Sequence, residues 1–222
     1  MSTQSLHSFG LGIASTDANQ EIIEVFYPQP LLAPAPELTA IVSNACGYKD
    51  GNTCIRLEPA HIAKLKNSEV LQSDPSMSTL LDVLSGSDQT LVATFIAEDS
   101  APQSVAEVYL KLQLLSHRLG RPHGVNLQGA FGVLRNIAWT SEGAITLEDL
   151  PGRQLEARAK GEVIDVMSVD KFPKMTNYVV PAGVRIADTA RVRLGAYVGE
   201  GTTVMHEGFI NFNAGTEGTA MI

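Results

Sequence analysis

A six-residue periodicity over residues 180–222 constrains the fold of this 222-residue chain more than any other feature. Aliphatic side chains begin almost every hexad; they are Val180, Ile186, Val192, Val198, Val204, Ile210 and, in phase, Ile222. Only Thr216 interrupts this row. A small or β-branched residue follows four positions after each lead, namely Val184, Ala190, Ala196, Thr202, Gly208, Ala214 and Ala220. Such a hexapeptide repeat predicts a parallel β-helix, whereas a chance period in an ordinary strand meander is the alternative.

The predicted coil follows from strand geometry. Each hexad forms a short strand and a turn, and three hexads complete one triangular coil whose alternate side chains point inward. Equivalent positions recur every eighteen residues, so we expect Ile186, Val204 and Ile222 to stack in one column. Val192 is expected to stack on Ile210 in the same way. Each coil buries its faces only against its neighbours, so several coils are needed for stability.

The repeat is still running at the last residue. Residues 180–222 make just over two coils, and the final Ala220, Met221 and Ile222 are apolar and would lie at an open sheet edge. Finished solenoid proteins protect such an edge with a polar terminal repeat or a cap. We therefore expect this chain to be the N-terminal part of a longer protein.

The chain is predicted to comprise three regions: an α/β domain over residues 1–98, a linking region over residues 99–178, and the start of a left-handed parallel β-helix over residues 179–222, truncated after about two coils. In the first region, strands are expected over residues 21–26, 38–43, 54–57 and 91–97, and helices over residues 59–71 and 76–84. A proline-rich connector over residues 27–36 separates the first two strands.

The linking region is predicted to begin with a helix over residues 99–119, with Asp99 or Ser100 as its cap and Pro102 in its first turn. Its buried stripe comprises Val105, Val108, Tyr109, Leu112, Leu115 and Leu119. Strands are then expected within residues 124–139, over residues 144–147 as the second arm of a hairpin, and over residues 162–169. Residues 151–161 are expected to form a solvated loop or short helix rather than an anion site.

Composition and charge exclude several functional classes. The net charge of −8 argues against a nucleic-acid partner and against binding to an anionic membrane surface. No apolar run is long enough for a transmembrane helix, and the first residues lack the basic start and apolar centre of a signal peptide. Cys46 and Cys54 have no neighbouring cluster of metal ligands, so we expect two free thiols in a reducing, cytoplasmic environment.

The coil carries two distinctive motifs, MHEGF at residues 205–209 and NFNAGT at residues 211–216. With the rest of residues 192–222, they closely resemble the tetrahydrodipicolinate N-succinyltransferase family, in the longer type found in pseudomonads and actinobacteria. The resemblance extends, with less distinctive motifs, over essentially the whole chain, but the family's proteins continue through more coils. It implies transfer of succinyl from succinyl-coenzyme A to the amine of ring-opened tetrahydrodipicolinate in diaminopimelate and lysine biosynthesis, by a homotrimer with sites between neighbouring prisms.

The same resemblance implies an acidic catalytic residue and a metal ion. The acidic residue is expected in a Met-X-Glu-Gly-Arg motif, so no catalytic residue is expected in this chain, and the glutamate would come just after Ile222. Glu207 points outward by the repeat phase and is expected near a magnesium ion at the trimer axis, since hard cations prefer oxygen ligands. Asp188 lies close to the position of the companion acid, although Ala190 occupies the aligned position itself. A solvated carboxylate is the alternative role for Glu207.

Four polar residues of the coil are candidates for binding a dicarboxylate substrate. Arg191 and Arg193 flank Val192 and point outward, which suits carboxylate recognition but equally suits surface salt bridges. Asn211 and Asn213 either contact substrate carboxylates or form an asparagine ladder within the prism.

Two further functions stay open at this point. One is another hexapeptide-repeat acyltransferase acting on a sugar or an amino acid, and the other is a non-catalytic trimerisation module. His206 is either a base or a corner histidine bonded to the backbone. A zinc enzyme resembling γ-carbonic anhydrase is disfavoured, because it needs three histidines at the prism edge and only His206 lies in the repeat.

Overall fold

A computed structural model describes residues 5–222. Its N-terminal half is built on an antiparallel sheet of five strands in the order β2-β1-β5-β4, with β3 paired to β1 at one end. The strands are β1 (Ser8–Thr16), β2 (Ile22–Phe26), β3 (Leu31–Leu32), β4 (Thr53–Arg56) and β5 (Thr90–Ile96). The strands expected at residues 21–26, 54–57 and 91–97 are therefore confirmed.

The central strand β1 was not predicted from the sequence. Gly10 and Gly12 interrupt the alternation of apolar and polar side chains that would indicate a strand. Both glycines lie on the face of the sheet that carries the Tyr27 ring. A Cβ atom at Gly10 would lie 2.6 Å from Tyr27 Cδ1, and one at Gly12 would lie 2.8 Å from the same atom. The two glycines are thus required by the close approach of that ring.

Four helices cover the other face of the sheet. They are α1 (Pro36–Cys46), α2 (Pro59–Lys66), α3 (Glu69–Ser73) and α4 (Pro75–Ser85). The strand expected at residues 38–43 is wrong, because Pro36 starts a helix that buries Thr39, Val42, Ala45 and Cys46 at helical spacing. The single helix expected at residues 59–71 is divided, since Asn67 closes α2 and Ser68 is extended.

Helix α5 (Val105–Ser116) crosses the opposite face of the sheet and is buried on every side. It is shorter than the expected 99–119 because its cap is Ser104, whose Oγ accepts from the backbone N–H of Glu107 at 3.3 Å. More of the helix is buried than the expected apolar stripe, because Leu110, Leu114 and the residues between them are also enclosed. Leu119 lies beyond the helix and is exposed.

The buried ammonium group of Lys111 in α5 is fully hydrogen-bonded. Lys111 Nζ donates to Asp99 Oδ1 at 2.7 Å, to Ser100 O at 2.5 Å and to Asn126 O at 2.9 Å. Because an ammonium group has three donors, none of them is left without a partner. Asp99, which was expected to cap the helix, instead neutralises this buried charge.

A three-stranded antiparallel sheet in the order β7-β6-β8 follows α5. The elements are α6 (Ala130–Val133), β6 (Ile137–Thr140), β7 (Gly143–Thr146), α7 (Leu150–Ala159) and β8 (Val166–Asp170). The expected β6–β7 hairpin is confirmed, although the strand within residues 124–139 is confined to β6. Residues 151–161 are mostly helical, as the short-helix alternative predicted.

The remaining residues form a parallel coil with three faces. A 3-10 turn (Met175–Asn177) leads into β9 (Arg185–Ile186), a second 3-10 turn (Thr189–Arg191), β10 (Tyr197–Val198), β11 (Thr203–Val204) and β12 (Gly215–Thr216). Parallel pairing joins residues eighteen positions apart on each face: Ile186 to Val204, Val192 to Ile210, and Val198 to Thr216. The predicted stacking of Ile186 on Val204 and of Val192 on Ile210 is confirmed.

The interruption of the aliphatic row at Thr216 has a structural explanation. Thr216 Oγ1 lies 2.7 Å from the buried Thr202 Oγ1, and Thr202 Oγ1 donates to Gly218 O at 2.8 Å. The backbone N–H of Gly199 also donates to Thr216 Oγ1 at 3.1 Å. The polar residue is tolerated here because its hydroxyl is hydrogen-bonded within the coil.

Two of the hydrophobic clusters cross the predicted boundaries: the largest one, and the cluster inside the coil, which includes Met175 of the linking region. One cluster, on the α1–α4 side of the sheet, draws all its residues from positions 6–97. The largest cluster instead combines Val25 of β2, Tyr109 of α5, Trp139 of β6 and Leu194 of the coil. The division into regions 1–98, 99–178 and 179–222 stays a prediction.

Two further observations concern the cysteines and the helices. Cys46 and Cys54 are both free thiols, and burial raises the pKa of Cys46 to about 12. None of the helices from residue 5 onward combines the length and the apolar character that crossing a membrane requires.

We predict that Asp99→Asn lowers the free energy of unfolding by about 3 kcal/mol, because it leaves the Lys111 ammonium buried without its counter-ion. Asp82→Asn is the matched control: its carboxylate is 2.8 Å from Lys66 Nζ, but that pair is exposed. The control should cost less than about 1 kcal/mol. Urea denaturation of both variants measures the difference, and equal losses would contradict the role assigned to Lys111.

We also predict that Gly215→Ala destabilises the coil by about 2 kcal/mol or more, since a Cβ atom there would lie 1.8 Å from Tyr197 O on the adjacent coil. Gly218→Ala, in the same coil, meets nothing within 4 Å and should change stability by less than about 0.5 kcal/mol. Thermal unfolding distinguishes the two variants. Equal melting temperatures would show that the coils are not packed in this register.

Candidate functional site

The residues predicted for metal binding lie together at one edge of the coil, around Arg191. Arg191 Nη2 is 3.1 Å from Glu207 Oε2, and Arg191 Nε is 3.9 Å from Asp188 Oδ2. Asp188 also precedes the second 3-10 turn and accepts a hydrogen bond from the backbone N–H of Ala190 at 2.9 Å. The structure therefore brings both carboxylates to the same arginine, and the Glu207 side chain is 74% exposed.

This edge does not form a metal site within a single chain. Across residues 5–222, no group of three or more His, Cys, Asp or Glu side chains is arranged to hold a metal ion. A cation at this edge would have to compete with the Arg191 guanidinium for the same oxygens. Further oxygen ligands would have to come from water or from outside the described residues of one chain.

Arg193 holds the start of the coil against the preceding strand. Its Nη2 donates to Asp170 Oδ2 at 2.6 Å, and its Nη1 donates to Asn211 Oδ1 at 3.0 Å. The guanidinium lies 5.5 Å from the ring centroid of Phe209 and 5.8 Å from that of Phe172. Its charge is thus already paired and stacked on aromatic rings.

The two asparagines make different contacts and do not stack on each other. Asn211 Oδ1 accepts from Arg193 and from the backbone N–H of Phe212. Asn213 has a φ of 55°, in the left-handed region that asparagine tolerates, and its Oδ1 accepts from the backbone N–H of His123 at 2.8 Å. Asn213 therefore anchors the loop that follows α5, a contact that spans 90 positions along the chain.

His206 does not occupy a buried corner. Its side chain is 72% exposed, and Nε2 lies 3.8 Å from Glu207 Oε1. The histidine therefore lies at the same edge of the coil as Arg191 and Glu207.

Several residues that shape this region were not singled out from the sequence. Asp170, Phe172 and His123 contact the predicted residues, and Phe172 stacks on Phe212 with centroids 4.1 Å apart. Asp170 and Phe172 lie in the linking region, just after the strand expected over residues 162–169. The only signal for their role was their position directly before the coil.

A separate cleft of about 420 Å³ lies between the β1–β2 turn and α7. The hydrogen bond from Arg135 Nη1 to Asp17 Oδ2, 2.8 Å long, lowers the pKa of Asp17 at its rim. Asp149, Arg153 and Glu156 complete its charged lining. None of the residues predicted for substrate or metal binding lines this cleft.

The coil with eighteen residues per turn, joined to an α/β region through a buried helix, places the chain in the class of parallel β-helix proteins. Residues 57–132 match the family described as "Tetrahydrodipicolinate N-succinyltransferase N-terminal", and residues 134–174 match "Tetrahydrodipicolinate N-succinyltransferase middle". Together the two matches cover more than half of the chain. The chain belongs to the tetrahydrodipicolinate N-succinyltransferase family.

Individual relatives agree with this assignment. Proteins named 2,3,4,5-tetrahydropyridine-2,6-dicarboxylate N-succinyltransferase are 57% identical in Pseudomonas putida and 38% identical in Salinispora tropica, each over 99% of this chain. The protein of that name from Vibrio cholerae is 54% identical over 96% of the chain. The chain spans 64%, 62% and 63% of the length of these three relatives, respectively.

A solved structure shows the same architecture. It is a crystal structure from Campylobacter jejuni described as a putative 2,3,4,5-tetrahydropyridine-2-carboxylate N-succinyltransferase. Its TM-score is 0.88 and its sequence identity 26%, over 98% of this chain and 61% of that one. The relation between the α/β region and the coil is thus shared with a protein of low sequence identity.

We predict that Arg193→Lys lowers the free energy of unfolding by about 1 to 2 kcal/mol, because lysine cannot contact Asp170, Asn211 and the two rings at once. Arg191→Lys should change it by less than about 0.5 kcal/mol, since its contacts are with exposed carboxylates. Guanidinium denaturation compares them. If both variants are as stable as the parent, Arg193 does not hold β8 to the coil.

Proposed function

We propose that this protein is an N-succinyltransferase that moves succinyl from succinyl-coenzyme A to the amine of ring-opened tetrahydrodipicolinate, in diaminopimelate and lysine biosynthesis. The observation that carries the proposal is the 57% identity to the Pseudomonas putida relative over 99% of this chain. Because the chain spans 64% of that relative, the activity is proposed for this chain together with the part of the family sequence that it does not match.

The proposed reaction is an acyl transfer. The neutral amine attacks the thioester carbonyl carbon, a C–N bond forms and the C–S bond breaks. A base accepts the amine proton and passes it to the departing sulfur, so that coenzyme A leaves as the thiol. This step needs the two reactants held together, a carboxylate base or relay, and hydrogen-bond donors for the tetrahedral oxyanion. No residue of this chain is proposed as the base. The family resemblance assigns that role to the Met-X-Glu-Gly-Arg motif, of which this chain carries Met221 and Ile222.

Arg191, Arg193, Asn211 and Asn213 are proposed to bind the carboxylates of the substrate. Arg191 is the best placed, because its side chain is 42% exposed and its present partners are exposed carboxylates that a substrate can displace. Arg193 and the two asparagines already have hydrogen-bond partners within the chain. These partners hold the three side chains in place, which supports a role in positioning the substrate. Their substrate contacts would use donors that these partners leave free, since a guanidinium has five N–H groups.

The proposed assembly is a cytoplasmic homotrimer of left-handed hexapeptide-repeat coils, with sites between neighbouring copies. Magnesium is proposed at the trimer axis, where each copy would contribute Glu207 and, less directly, Asp188. Residues 5–222 of one chain hold no group of three such ligands, which supports a site that several copies complete at the three-fold axis. No chemical step is assigned to the metal.

We also propose the division into an α/β domain over residues 1–98, a linking region over residues 99–178 and a coil over residues 179–222. The separate hydrophobic cluster of residues 6–97 supports the boundary at residue 98, because that boundary falls just after the end of β5 and of the cluster. The acidic composition and the family relationship support a small-molecule substrate rather than a nucleic acid or a membrane.

A non-catalytic trimerisation module is the second candidate function. It is favoured by one observation: the four residues proposed for substrate binding all have partners within the chain. Another hexapeptide-repeat acyltransferase is the third, and the names of the relatives argue against it.

We predict thiol release from succinyl-coenzyme A, with 2-aminopimelate as acceptor, only when this chain is joined to the part of the Pseudomonas putida relative that it does not match. The chain alone should show no turnover, because it carries no proposed base. In the joined protein, Arg191→Gln should raise the KM for 2-aminopimelate about tenfold by removing a charged carboxylate partner.

Arg185→Gln is the matched control, because Arg185 is an exposed arginine of the same coil that is not proposed to bind substrate. It should leave both kcat and KM unchanged. If neither the chain nor the joined protein turns over while both assemble as trimers, the acyltransferase proposal fails and the trimerisation module is favoured. If Arg191→Gln and Arg185→Gln behave alike, Arg191 is not a substrate contact.

A further inference from the structure

A small cavity lined by aromatic residues lies where the N-terminal sheet meets the chain that enters the coil. Its volume is about 250 Å³, and Phe26 of β2, Trp139 of β6 and Tyr178 line it together with Glu24. The Phe26 and Tyr178 rings meet edge to face, with centroids 6.2 Å apart. No residue of the repeat, which starts at Val180, contributes to the lining. The cavity is therefore distinct from the edge that carries Arg191 and Glu207.

Glu24 is the charged residue of this cavity. Its Oε1 accepts a hydrogen bond from Ser15 Oγ at 2.6 Å, and its Oε2 accepts one from the Tyr178 hydroxyl. A carboxylate has about four acceptor positions, so these two bonds leave capacity for a ligand. Among the described residues, no ion pair includes Glu24 and no Lys, Arg or His lines the cavity. The negative charge thus lacks a counter-ion.

Two tyrosines, Tyr178 and Tyr109, form the wall behind the carboxylate. Burial raises the pKa of Tyr178 well above its usual range, so its hydroxyl acts as a donor to Glu24. Behind it, the hydroxyl of Tyr109 is buried and, within residues 5–222, has no hydrogen-bond partner. The Tyr109 and Tyr178 ring centroids are 6.0 Å apart. Burial also raises the pKa of Tyr109 well above its usual range, so both phenols stay uncharged and neither adds to nor offsets the charge of Glu24.

We propose that this cavity binds the ammonium group of a small primary alkylamine, with Glu24 as its hydrogen-bond acceptor and counter-ion and with the rings of Phe26, Trp139 and Tyr178 around it. Carboxylates and aromatic faces are the two protein groups that attract organic cations most strongly when water is excluded. The cavity is below the roughly 300–1,000 Å³ of pockets for drug-sized ligands, so the ligand is small.

The lining also restricts what else the ligand carries. Without a basic residue, the cavity offers no charged partner to a carboxylate, so an amine bearing carboxylates fits less well than a simple alkylammonium. The site is therefore not a second copy of the proposed dicarboxylate site. The proposal does not depend on the proposed succinyl transfer.

Trp139 is the single tryptophan of the chain and reports directly on the cavity. We expect n-butylammonium chloride, titrated at pH 7, to change the tryptophan emission in a saturable way. Sodium chloride at equal ionic strength and n-butanol, which has the same alkyl chain without the charge, should not. Glu24→Gln should weaken the apparent affinity for n-butylammonium at least about tenfold, since it removes the charge while preserving the shape. Glu37→Gln, which removes an exposed carboxylate from the first turn of α1, is the matched control and should bind as the parent does.

Phe26→Leu gives an independent test that keeps the carboxylate in place. It should weaken binding about threefold by removing one aromatic face. Equal responses to n-butanol and n-butylammonium would overturn the proposal, as would parental affinity in a Glu24→Gln variant that unfolds cooperatively. If Glu24→Gln does not fold, parental affinity in Phe26→Leu overturns it, and weakened affinity supports it.

Discussion

The complete burial of α5 is the constraint on which the rest of the structure depends. In a helix enclosed by a sheet on one side and a coil on the other, each charged or amide side chain needs a partner, because burying such a group alone would cost several kcal/mol. Lys111 is neutralised by Asp99 and two carbonyls. Gln113 extends the edge of β2, accepting from the backbone N–H of Tyr27 and donating to Val25 O. The polar residues of the helix therefore specify where its neighbours lie.

The same helix determines how the coil joins the N-terminal region. Ser116 Oγ donates to Ala196 O and accepts from the backbone N–H of Gly195, so the end of α5 is hydrogen-bonded to the coil directly. Gly195 has a φ of 92°, and a Cβ atom there would lie 2.5 Å from Leu112 Cδ2. This close approach leaves room for neither a side chain nor water, so the coil and the sheet share one core around α5. Both the candidate site and the aromatic cavity form along the margins of that shared core.

Predictions from long, regular sequence patterns were more accurate than predictions from short ones. Six aliphatic leads in register predicted the coil, and its stacking was confirmed at Ile186 and Val192. The short segment at residues 38–43 was assigned to a strand because its β-branched residues suit either structure, and tertiary packing placed it in α1. At the site, the repeat phase indicated that Arg191 and Glu207 point outward, and the structure places them 3.1 Å apart. The sequence did not indicate Asp170 and His123, because their contacts with the coil join residues that are far apart along the chain.

The sequence by itself determined the coil, its period, the family and the outward position of the polar residues around Val192. These properties are local or periodic, so they are encoded in the spacing of residues along the chain. Only the tertiary structure decided that β1 is the central strand, that Asp99 neutralises Lys111, and that Glu24 meets three aromatic rings in one cavity. These relations join residues far apart in sequence, and they arise when the buried helix brings the sheet and the coil together.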